Sequence, residues 1–418
     1  MTAAPHAAGP QELLRLKSQH LMPSVYHFFK DPPHIVAGSG AKLLDHQGRS
    51  YIDCVSGVGV MNAGHCQSEI IEPVIEQIRT LQHTTTIYLT EPQLRLAEAL
   101  AHIAPAPLTR SFFCASGSEA VEGALLMAMQ HTGRRKIIAM HDGLHGRTRL
   151  GMNVTGMAMW RSDPFPSDDV VHVPFGDVNA MRVALEENLG EIASVIGEPV
   201  QGNGGIQVPP KEYWPAVRAL CDEHGTLLAL DEIQTGFNRT GAWFACAHWN
   251  VEPDFMTISK GLGNGFAIAA FMTTDAIAAD KRKPSASTYG GNPVCATAAL
   301  ATIEFHRRHH LALKATVLGE QLHRALANIA KEFPTLFHAP RGMGLMLGMP
   351  VIGRDTAHSA ARCDVILEHL KDSGVLAGKT GAHRNVLTFM PPLVISDAEL
   401  QQVVDALHAV ANLFTNST

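Results

Sequence analysis

A lysine stands directly after a short apolar run in the stretch Asp254-Phe-Met-Thr-Ile-Ser-Lys260-Gly-Leu-Gly-Asn-Gly265. The apolar and β-branched residues of this run predict a short buried strand, and the glycines beyond it predict a loop. Desolvation disfavours the ammonium form of a lysine and lowers its pKa, so Lys260 could present a neutral amine there. A neutral lysine amine can form a Schiff base with an aldehyde. The alternative is a lysine at a strand end that simply reaches solvent.

Further apolar segments on both sides of this stretch predict a large sheet. The additional predicted strands are Ser111–Cys114, Lys136–Met140, Val170–Val173, Ser194–Glu198, Thr226–Asp231 and Ala267–Thr273. Helical patterns lie between several of them, at Glu119–Gln130, Asn179–Leu189 and Glu212–His224. Strands that are apolar along their whole length and alternate with helices indicate an α/β fold. We therefore expect a mostly parallel seven-stranded sheet with helices on both faces.

The two ends of the chain predict a second, smaller α+β domain. Near the N-terminus, a helix over Gln11–Ser18 is followed by two short strands around Ile35–Leu44 and Tyr51–Cys54. A long helix begins at Pro293 and ends near His309, and a helix–strand region follows it. We predict an arm and part of the small domain over residues 1–60. The large domain covers 61–305, and the remainder of the small domain covers 306–418.

Composition excludes several classes of function. The chain has 418 residues and a net charge of −6, which gives no support for nucleic-acid or anionic-membrane binding. No apolar run is long enough to cross a bilayer, and the N-terminus lacks the pattern of a signal peptide. The seven cysteines include no C-x-x-C pair. This favours a reduced, cytoplasmic chain over a disulfide scaffold or a zinc site. His306, His309 and His310 have ligand-like spacing but predict a solvated helix end, so we expect no metal.

Two further polar features follow predicted strands, where open α/β sheets bind their ligands. Ser116-Gly-Ser-Glu119 opens a helix, and the amides and dipole of a helix N-terminus can bind a phosphate. The alternative is an ordinary helix cap. Asp231 ends an apolar strand and needs a cationic or hydrogen-bonding partner, which a protonated pyridine nitrogen would provide. Pyridoxal phosphate has the aldehyde, the phosphate and the ring nitrogen that Lys260, Ser116–Ser118 and Asp231 would bind.

The motifs around these residues resemble those of the class III aminotransferases, which are fold-type-I pyridoxal phosphate enzymes. The resemblance covers nearly the whole chain. It rests on Tyr51-Ile-Asp-Cys54, Gly64-His65-Cys66, Ser116-Gly-Ser-Glu-Ala120, His145-Gly-Arg-Thr148, Glu198-Pro-Val-Gln-Gly202, Asp231-Glu-Ile-Gln-Thr-Gly236-Phe-Asn-Arg-Thr-Gly241, Pro253-Asp254, Ser259-Lys260-Gly-Leu-Gly-Asn-Gly265 and Thr288-Tyr-Gly-Gly-Asn-Pro293.

The resemblance implies a role for each matching residue. Lys260 would bind the cofactor covalently and move the substrate proton, and Asp231 would hold the ring nitrogen. Gln234 matches a position near the ring hydroxyl. The implied cofactor-binding residues are Ser116, Gly117, Ser118, Leu144, His145, Glu198, Asp231, Ile233, Gln234, Lys260 and Thr288.

The resemblance also implies a homodimer with shared active sites, or a dimer of dimers. Thr288 matches a threonine that reaches the phosphate bound by the neighbouring subunit. Tyr88 lies in a segment that lines the partner's site in relatives. The alternative for Tyr88 is an interface tyrosine without ligand contact.

The sequence departs from the family pattern at three positions. Leu144 replaces an aromatic residue that stacks on the pyridine ring in many relatives, so the stacking contribution to cofactor affinity is lost. Thr388, in Asn385-Val-Leu-Thr388-Phe-Met-Pro-Pro-Leu393, replaces an arginine that binds the substrate α-carboxylate. Asn203 replaces a glutamate that pairs with this arginine in some relatives.

Three cations remain as candidate substrate-binding residues. Arg147 matches an arginine that binds a distal carboxylate in relatives active on γ-aminobutyrate or glutamate, although a salt bridge to Glu198 is equally plausible from the residues alone. Lys379 and Arg384 lie in a C-terminal loop near the position of a mobile arginine in amine transaminases, but loop cations are usually solvated.

These features predict an aminotransferase that takes an amino group from an ω-amine or ω-amino acid and gives it to a keto acid. Pyruvate is a somewhat better acceptor candidate than 2-oxoglutarate. Because Arg147 is present, 2-oxoglutarate stays a candidate. The alternative is a phospho-lyase that acts on an amino-alcohol phosphate, because Gly381-Ala-His-Arg384 resembles the C-terminal loop of such class III enzymes. Those enzymes usually have a lysine at the position of Thr388.

Overall fold

The computed structural model describes residues 9–25, 27–280 and 285–415. The strands within these ranges are β1 Ile35–Ser39, β2 Lys42–Asp45, β3 Ser50–Asp53, β4 Arg110–Cys114, β5 Lys136–Met140, β6 Val170–Val173, β7 Ile192–Gly197, β8 Leu227–Asp231, β9 Phe255–Ile258, β10 Ala269–Thr273, β11 Arg341–Met343, β12 Met346–Pro350, β13 Val375–Leu376, β14 Gly378–Thr380 and β15 Val386–Phe389.

The α-helices within the same ranges are α1 Pro10–His20, α2 Ser56–Gly59, α3 Ser68–Thr80, α4 Glu91–Ile103, α5 Gly117–Thr132, α6 Arg149–Val154, α7 Val178–Glu187, α8 Tyr213–His224, α9 Asp275–Ala278, α10 Pro293–Arg308, α11 Leu311–Glu332, α12 Thr356–Asp372 and α13 Asp397–Thr415. Short 3-10 helices cover Ala158–Trp160, Ala245–Trp249 and Lys260–Leu262. No helix in the described part of the chain combines the length and the apolar character that a membrane span requires.

A seven-stranded sheet forms the centre of the fold, with the order β4-β10-β9-β8-β7-β5-β6. Strand β10 is antiparallel to both of its neighbours, and the pairs among β5, β6, β7, β8 and β9 are parallel. Every strand of this sheet was predicted from the sequence. The α/β fold class with a mostly parallel sheet is therefore confirmed.

The side chains of the central strands alternate between two apolar layers. Ile137 on β5 packs in the layer that α5 covers, together with Ala124 and Leu125 of that helix. The next residue along the strand, Ile138, packs in the opposite layer with Trp214 and Val217 of α8. Because successive strand residues point to opposite faces, a sheet covered on both faces needs apolar residues at every position. This explains the uninterrupted apolar runs in the sequence.

A second hydrophobic core joins the N-terminal strands to the C-terminal region. It contains residues of β3 and of α11, α12 and α13, among them Ile52, Leu322, Cys363 and Leu407. Two smaller sheets border it, with the orders β1-β2-β3-β13 and β11-β12-β15-β14. Chain segments from both ends thus share one core, while the domain bounds at residues 60 and 305 stay a prediction.

Two local predictions were wrong. The segment predicted as one strand around Ile35–Leu44 forms β1 and β2, which turn at Gly40, where φ is +57°. His306 is not at a solvated helix end, because its side chain packs on the segment after β8. It is 1% exposed, its Nδ1 lies 3.0 Å from Nδ2 of Asn238, and its ring stacks on Trp243. Sequence spacing could not show which face of α10 this segment covers.

Candidate active site

One cavity of about 350 Å³ lies beyond the carboxyl ends of several parallel strands. The loops after β5, β7, β8 and β9 and the N-terminus of α5 converge there. The residues that line it are Gly117, Ser118, Leu144, His145, Gly146, Arg147, Trp160, Glu198, Asn203, Asp231, Ile233, Gln234, Ser259 and Lys260. Most of the predicted site residues are thus brought together, although the sequence separates the first from the last by more than a hundred positions.

Lys260 lies at the wall of this cavity immediately after β9. Its backbone is in the left-handed region, with φ +43°, and Ser259 before it donates a hydrogen bond from Oγ to the carbonyl of Ile268 at 3.1 Å. Burial lowers the pKa of the Lys260 amine, and the negative charges of Glu198 and Asp231 oppose this shift. The amine of Lys260 therefore loses its proton more easily than the amine of a free lysine. Its side chain faces the cavity instead of bulk solvent.

Asp231, which is 3% exposed, is held from two sides. Its Oδ2 lies 2.8 Å from Nδ1 of His145, and its Oδ1 accepts a hydrogen bond from the backbone N–H of Ile233 at 3.1 Å. Burial alone would lower the pKa of His145, but the hydrogen bond and the charge of Asp231 outweigh it and raise the pKa. The two contacts fix the position of the Asp231 side chain at the end of β8.

The N-terminus of α5 shows why only part of Ser116–Ser118 faces the cavity. The Oγ of Ser116 accepts from the N–H of Glu119 at 3.3 Å and donates to Oε2 of the same residue at 3.1 Å. Ser116 is thus the helix cap that the alternative interpretation proposed, and its side chain is occupied. Gly117 and Ser118 line the cavity. A Cβ on Gly117 would lie 2.8 Å from Cδ1 of Ile233, so the close approach favours glycine.

Glu198 connects two loops beneath the cavity. Its Oε1 accepts a hydrogen bond from the N–H of Leu144 at 3.0 Å, and its Oε2 accepts one from the N–H of Gly202 at 2.9 Å. Burial raises the pKa of Glu198. Among the described residues Glu198 makes no salt bridge to Arg147, so that alternative for Arg147 is wrong in this structure. The carboxylate instead positions the loops after β5 and β7.

The groups around the cavity fit pyridoxal phosphate. Oε1 of Gln234 is buried and has no partner among the described residues, so it is free to meet a polar ring substituent. Asp231 presents a carboxylate for a ring nitrogen, and the apolar side chains of Leu144 and Ile233 suit the faces of an aromatic ring. Gly117 and Ser118 at the N-terminus of a 16-residue helix suit a phosphate.

Besides Ser116, four predicted residues do not line the cavity of their own chain. Thr288 is exposed, and Tyr88 is 66% exposed. Their predicted roles toward a second subunit stay predictions. Lys379 instead contacts Asp364 of α12, and the guanidinium carbon of Arg384 lies 5.3 Å from the ring centre of Phe28. The prediction that Lys379 lies in a loop is wrong, because it lies within β14, where its side chain contacts α12.

Trp160 lines the cavity although the sequence analysis did not select it. It ends the 3-10 helix Ala158–Trp160, and its ring lies under the guanidinium of Arg147, with 5.5 Å from Cζ to the ring centre. The only sequence signal was an aromatic residue that follows Met157-Ala-Met159 and precedes a polar segment, which does not specify a cavity. Arg147 itself is exposed at the mouth.

The two positions that depart from the carboxylate-binding pattern lie in different surroundings. Thr388 is 1% exposed, and its Oγ1 lies 2.9 Å from Oγ1 of Thr380 on the neighbouring strand. Asn203 lines the cavity, and its backbone carbonyl accepts a hydrogen bond from the N–H of Gly381 at 2.8 Å. The position of the family's arginine is thus occupied by a neutral, internally hydrogen-bonded side chain.

Comparison with protein families and curated sequences gives consistent matches. The model of the family described as aminotransferase class-III matches residues 30–411. The chain is 38% identical over 381 residues to an acetylornithine aminotransferase of Methanosarcina acetivorans, which covers 90% of this chain and 91% of the relative. It is 39% identical over 384 residues to the acetylornithine aminotransferase of Mycobacterium tuberculosis, and this alignment covers 91% of this chain and 92% of the relative.

Solved structures share the fold over nearly the whole chain. A transaminase from the marine bacterium Virgibacillus aligns with a TM-score of 0.90 at 26% identity, covering 97% of this chain and 99% of that chain. An ornithine aminotransferase from Toxoplasma gondii, described with PLP at its active site, aligns with a TM-score of 0.90 at 27% identity. The alignment covers 98% of this chain and 95% of that chain.

Proposed function

We infer the function from one premise, that the chain belongs to the class III aminotransferases, which depend on pyridoxal 5′-phosphate. We propose that its amino donor is an ω-amine or ω-amino acid and that its acceptor is a keto acid, pyruvate or 2-oxoglutarate. The observation that carries the donor proposal is Thr388, a buried neutral residue bonded to Thr380 at the position of the α-carboxylate arginine. Such a site has no cationic fork there for an α-amino acid.

Pyridoxal phosphate, when bound, supplies an electron sink for the carbon that carries the amino group. Lys260 would hold the cofactor and would move a proton at that carbon with its amine, whose pKa burial lowers. Asp231 would keep the ring nitrogen protonated, and His145 fixes the orientation of Asp231.

The remaining cavity residues would bind and enclose the cofactor. Gly117 and Ser118 would bind the phosphate at the start of α5. Leu144 and Ile233 would cover the ring and exclude water, and Gln234 would contact a polar ring substituent through its unpaired Oε1. The backbone of Leu144 is held in place by Glu198.

A homodimer in the cytoplasm is part of this proposal. Ile87, Tyr88 and Leu89 are consecutive apolar residues that are 82%, 66% and 89% exposed, which is typical of a surface that a partner covers. Thr288 would reach the phosphate bound by the second subunit. All seven cysteines are free thiols, which supports a reducing compartment.

The donor proposal can be tested with two isomers that differ only in the position of the amine. The holoenzyme is mixed with 4-aminobutyrate or with L-2-aminobutyrate, and the absorbance change of the cofactor from its aldehyde to its amine form is followed. We expect 4-aminobutyrate to react faster. Preference for L-2-aminobutyrate would contradict the ω-donor proposal while leaving the family unaffected.

The phospho-lyase alternative has less support from the structure. Arg384, in the motif that suggested it, stacks on Phe28 and does not line the cavity. The buried Thr388 cannot substitute for the lysine of the lyases. Incubation with phosphoethanolamine discriminates the two: phosphate release without any amine-form cofactor would establish the lyase.

A further inference from the structure

We propose that Trp160 is a positioning and specificity-determining residue. Its indole holds the guanidinium of Arg147 at the cavity mouth, where Arg147 binds a carboxylate at the end of the substrate opposite the amine. This inference rests on the proposed function and on the distal-carboxylate role that the resemblance implies for Arg147, and what it adds is the dependence of that role on Trp160.

Arg147 has no competing anion in the described part of the chain. No described carboxylate lies within ion-pair distance of its guanidinium, and both oxygens of Glu198 accept backbone hydrogen bonds. The next arginine along the chain, Arg149, is different, because it pairs with Asp163 at 3.1 Å. The contact of the Arg147 guanidinium with Trp160, 5.5 Å from Cζ to the ring centre, leaves its N–H donors available to a ligand.

The backbone that carries Trp160 is fixed to the loop that carries Arg147. The N–H groups of Gly156 and Met157 donate to the carbonyl of Gly143 at 2.9 and 3.3 Å. The N–H of His145 donates to Oγ1 of Thr155 at 3.0 Å. These bonds anchor residues 155–157, directly before the 3-10 helix that ends at Trp160, to the loop that carries Arg147, so the long and exposed arginine side chain packs beside an anchored segment.

The described part of the chain offers a distal carboxylate in this cavity no second guanidinium. Arg147 is the only arginine among the described residues that line it, and Thr388 supplies no charge. Lys260 lies deeper, after β9, where the amine end of the substrate must react. A donor with an amine at one end and a carboxylate at the other matches this separation of Lys260 from Arg147.

The test uses the holoenzyme and two donors, 4-aminobutyrate and n-butylamine, which differ in the carboxylate. Donor concentration is varied in the first half-reaction for the wild type and for Trp160→Leu, Trp160→Phe and Arg147→Gln. We expect Trp160→Leu to raise the half-saturating concentration of 4-aminobutyrate about three- to tenfold, with little change in the maximal rate. For n-butylamine we expect no change. Trp160→Phe should retain part of the effect, and Met159→Leu, at an exposed neighbour outside the cavity, should resemble the wild type.

A double variant separates positioning from a general structural role. If Trp160 acts through Arg147, adding Trp160→Leu to Arg147→Gln should raise the half-saturating concentration no further. An equal rise of the half-saturating concentration for both donors would overturn the proposal. An unchanged half-saturating concentration of 4-aminobutyrate in Trp160→Leu would overturn it as well.

A binding measurement without turnover keeps this inference separate from the proposed reaction. Isothermal titration of the holoenzyme with glutarate should give weaker binding in Trp160→Leu and in Arg147→Gln than in the wild type. If no amine is converted but glutarate binding follows this order, the proposed function fails and the carboxylate site stands. Absence of glutarate binding to the wild type would overturn the inference.

Discussion

Nδ1 of His145 lies 2.8 Å from Oδ2 of Asp231, and both side chains are almost completely buried. A buried carboxylate and a buried imidazole each lose their hydration, and the contact between them compensates for this loss. Both side chains line the cavity, and Asp231 is the residue that would hold the ring nitrogen of the cofactor. The protonation of this pair therefore affects both the stability of the chain and the orientation of Asp231.

The first prediction concerns the pH dependence of this pair. The folded-state pKa of His145 is raised above its ordinary value of 6.5, so its contribution to stability is complete below that value and is lost as the pH rises through the folded pKa. We expect His145→Gln to lower the free energy of unfolding of the apo chain by about 1–3 kcal/mol near pH 6. Urea unfolding should show this difference shrinking toward alkaline pH.

A second histidine gives the matched control. Burial lowers the pKa of His172 to about 4, so the folded state keeps its imidazole neutral. The contribution of His172 to stability has the opposite pH dependence, because its protonation in the unfolded chain makes the wild type lose stability as the pH falls below 6.5. The difference between wild type and His172→Gln should therefore grow with pH. The same trend in both variants would contradict the assignment for His145.

The second prediction concerns the two lysines that sequence analysis placed near the site. Lys260→Ala should lower the transamination rate about a thousandfold or more, because it removes the amine that we propose transfers the proton. Borohydride should no longer link the cofactor to the chain. Lys379→Ala removes a lysine that contacts Asp364 outside the cavity, so its rate should stay close to that of the wild type. Steady-state kinetics and mass spectrometry check both variants, and wild-type activity in Lys260→Ala would refute the assignment.

The third prediction is that Thr388→Arg, which restores the family's arginine, destabilises the folded chain and does not create a carboxylate site. Thr388→Arg places a charge in a closely packed position without a carboxylate partner, and we expect a loss of about 3–5 kcal/mol in the free energy of unfolding. Thr388→Val removes only the hydroxyl, which contacts Thr380 and the carbonyl of Val386, and should cost about 1 kcal/mol. Denaturant titrations measure both. A stable Thr388→Arg variant that prefers L-2-aminobutyrate would show that the position can still serve as a carboxylate site.

The fourth prediction concerns the close approach of Gly156 to the loop after β5. A Cβ at Gly156 would lie 2.2 Å from the carbonyl oxygen of Met140, so backbone must move to admit it. Gly156→Ala should lower the free energy of unfolding by about 1–3 kcal/mol and disturb the segment that carries Trp160. Gly9→Ala, where no atom lies within 4 Å of an added Cβ, is the matched control. Equal stability of the two variants would contradict this account.

The sequence by itself determined the sheet, the family and the residues at the strand ends. The uninterrupted apolar runs specify strands buried on both faces, and Asp231 and Lys260 follow two of them directly. A polar residue at the carboxyl end of such a strand lies where open α/β sheets bind their ligands, so the local pattern is sufficient to locate it. The motifs around these residues were equally local, since each spans only a few consecutive positions.

Only the tertiary structure decided which side chains reach the cavity. Ser116 uses its hydroxyl to cap α5, Lys379 contacts α12, and Trp160 enters the site from a segment without a motif. His306 is buried because Asn238 and Trp243, from the segment after β8, cover its face of α10. Each of these outcomes depends on contacts between segments far apart in the chain, whereas periodicity and spacing report only the conformation of neighbouring residues.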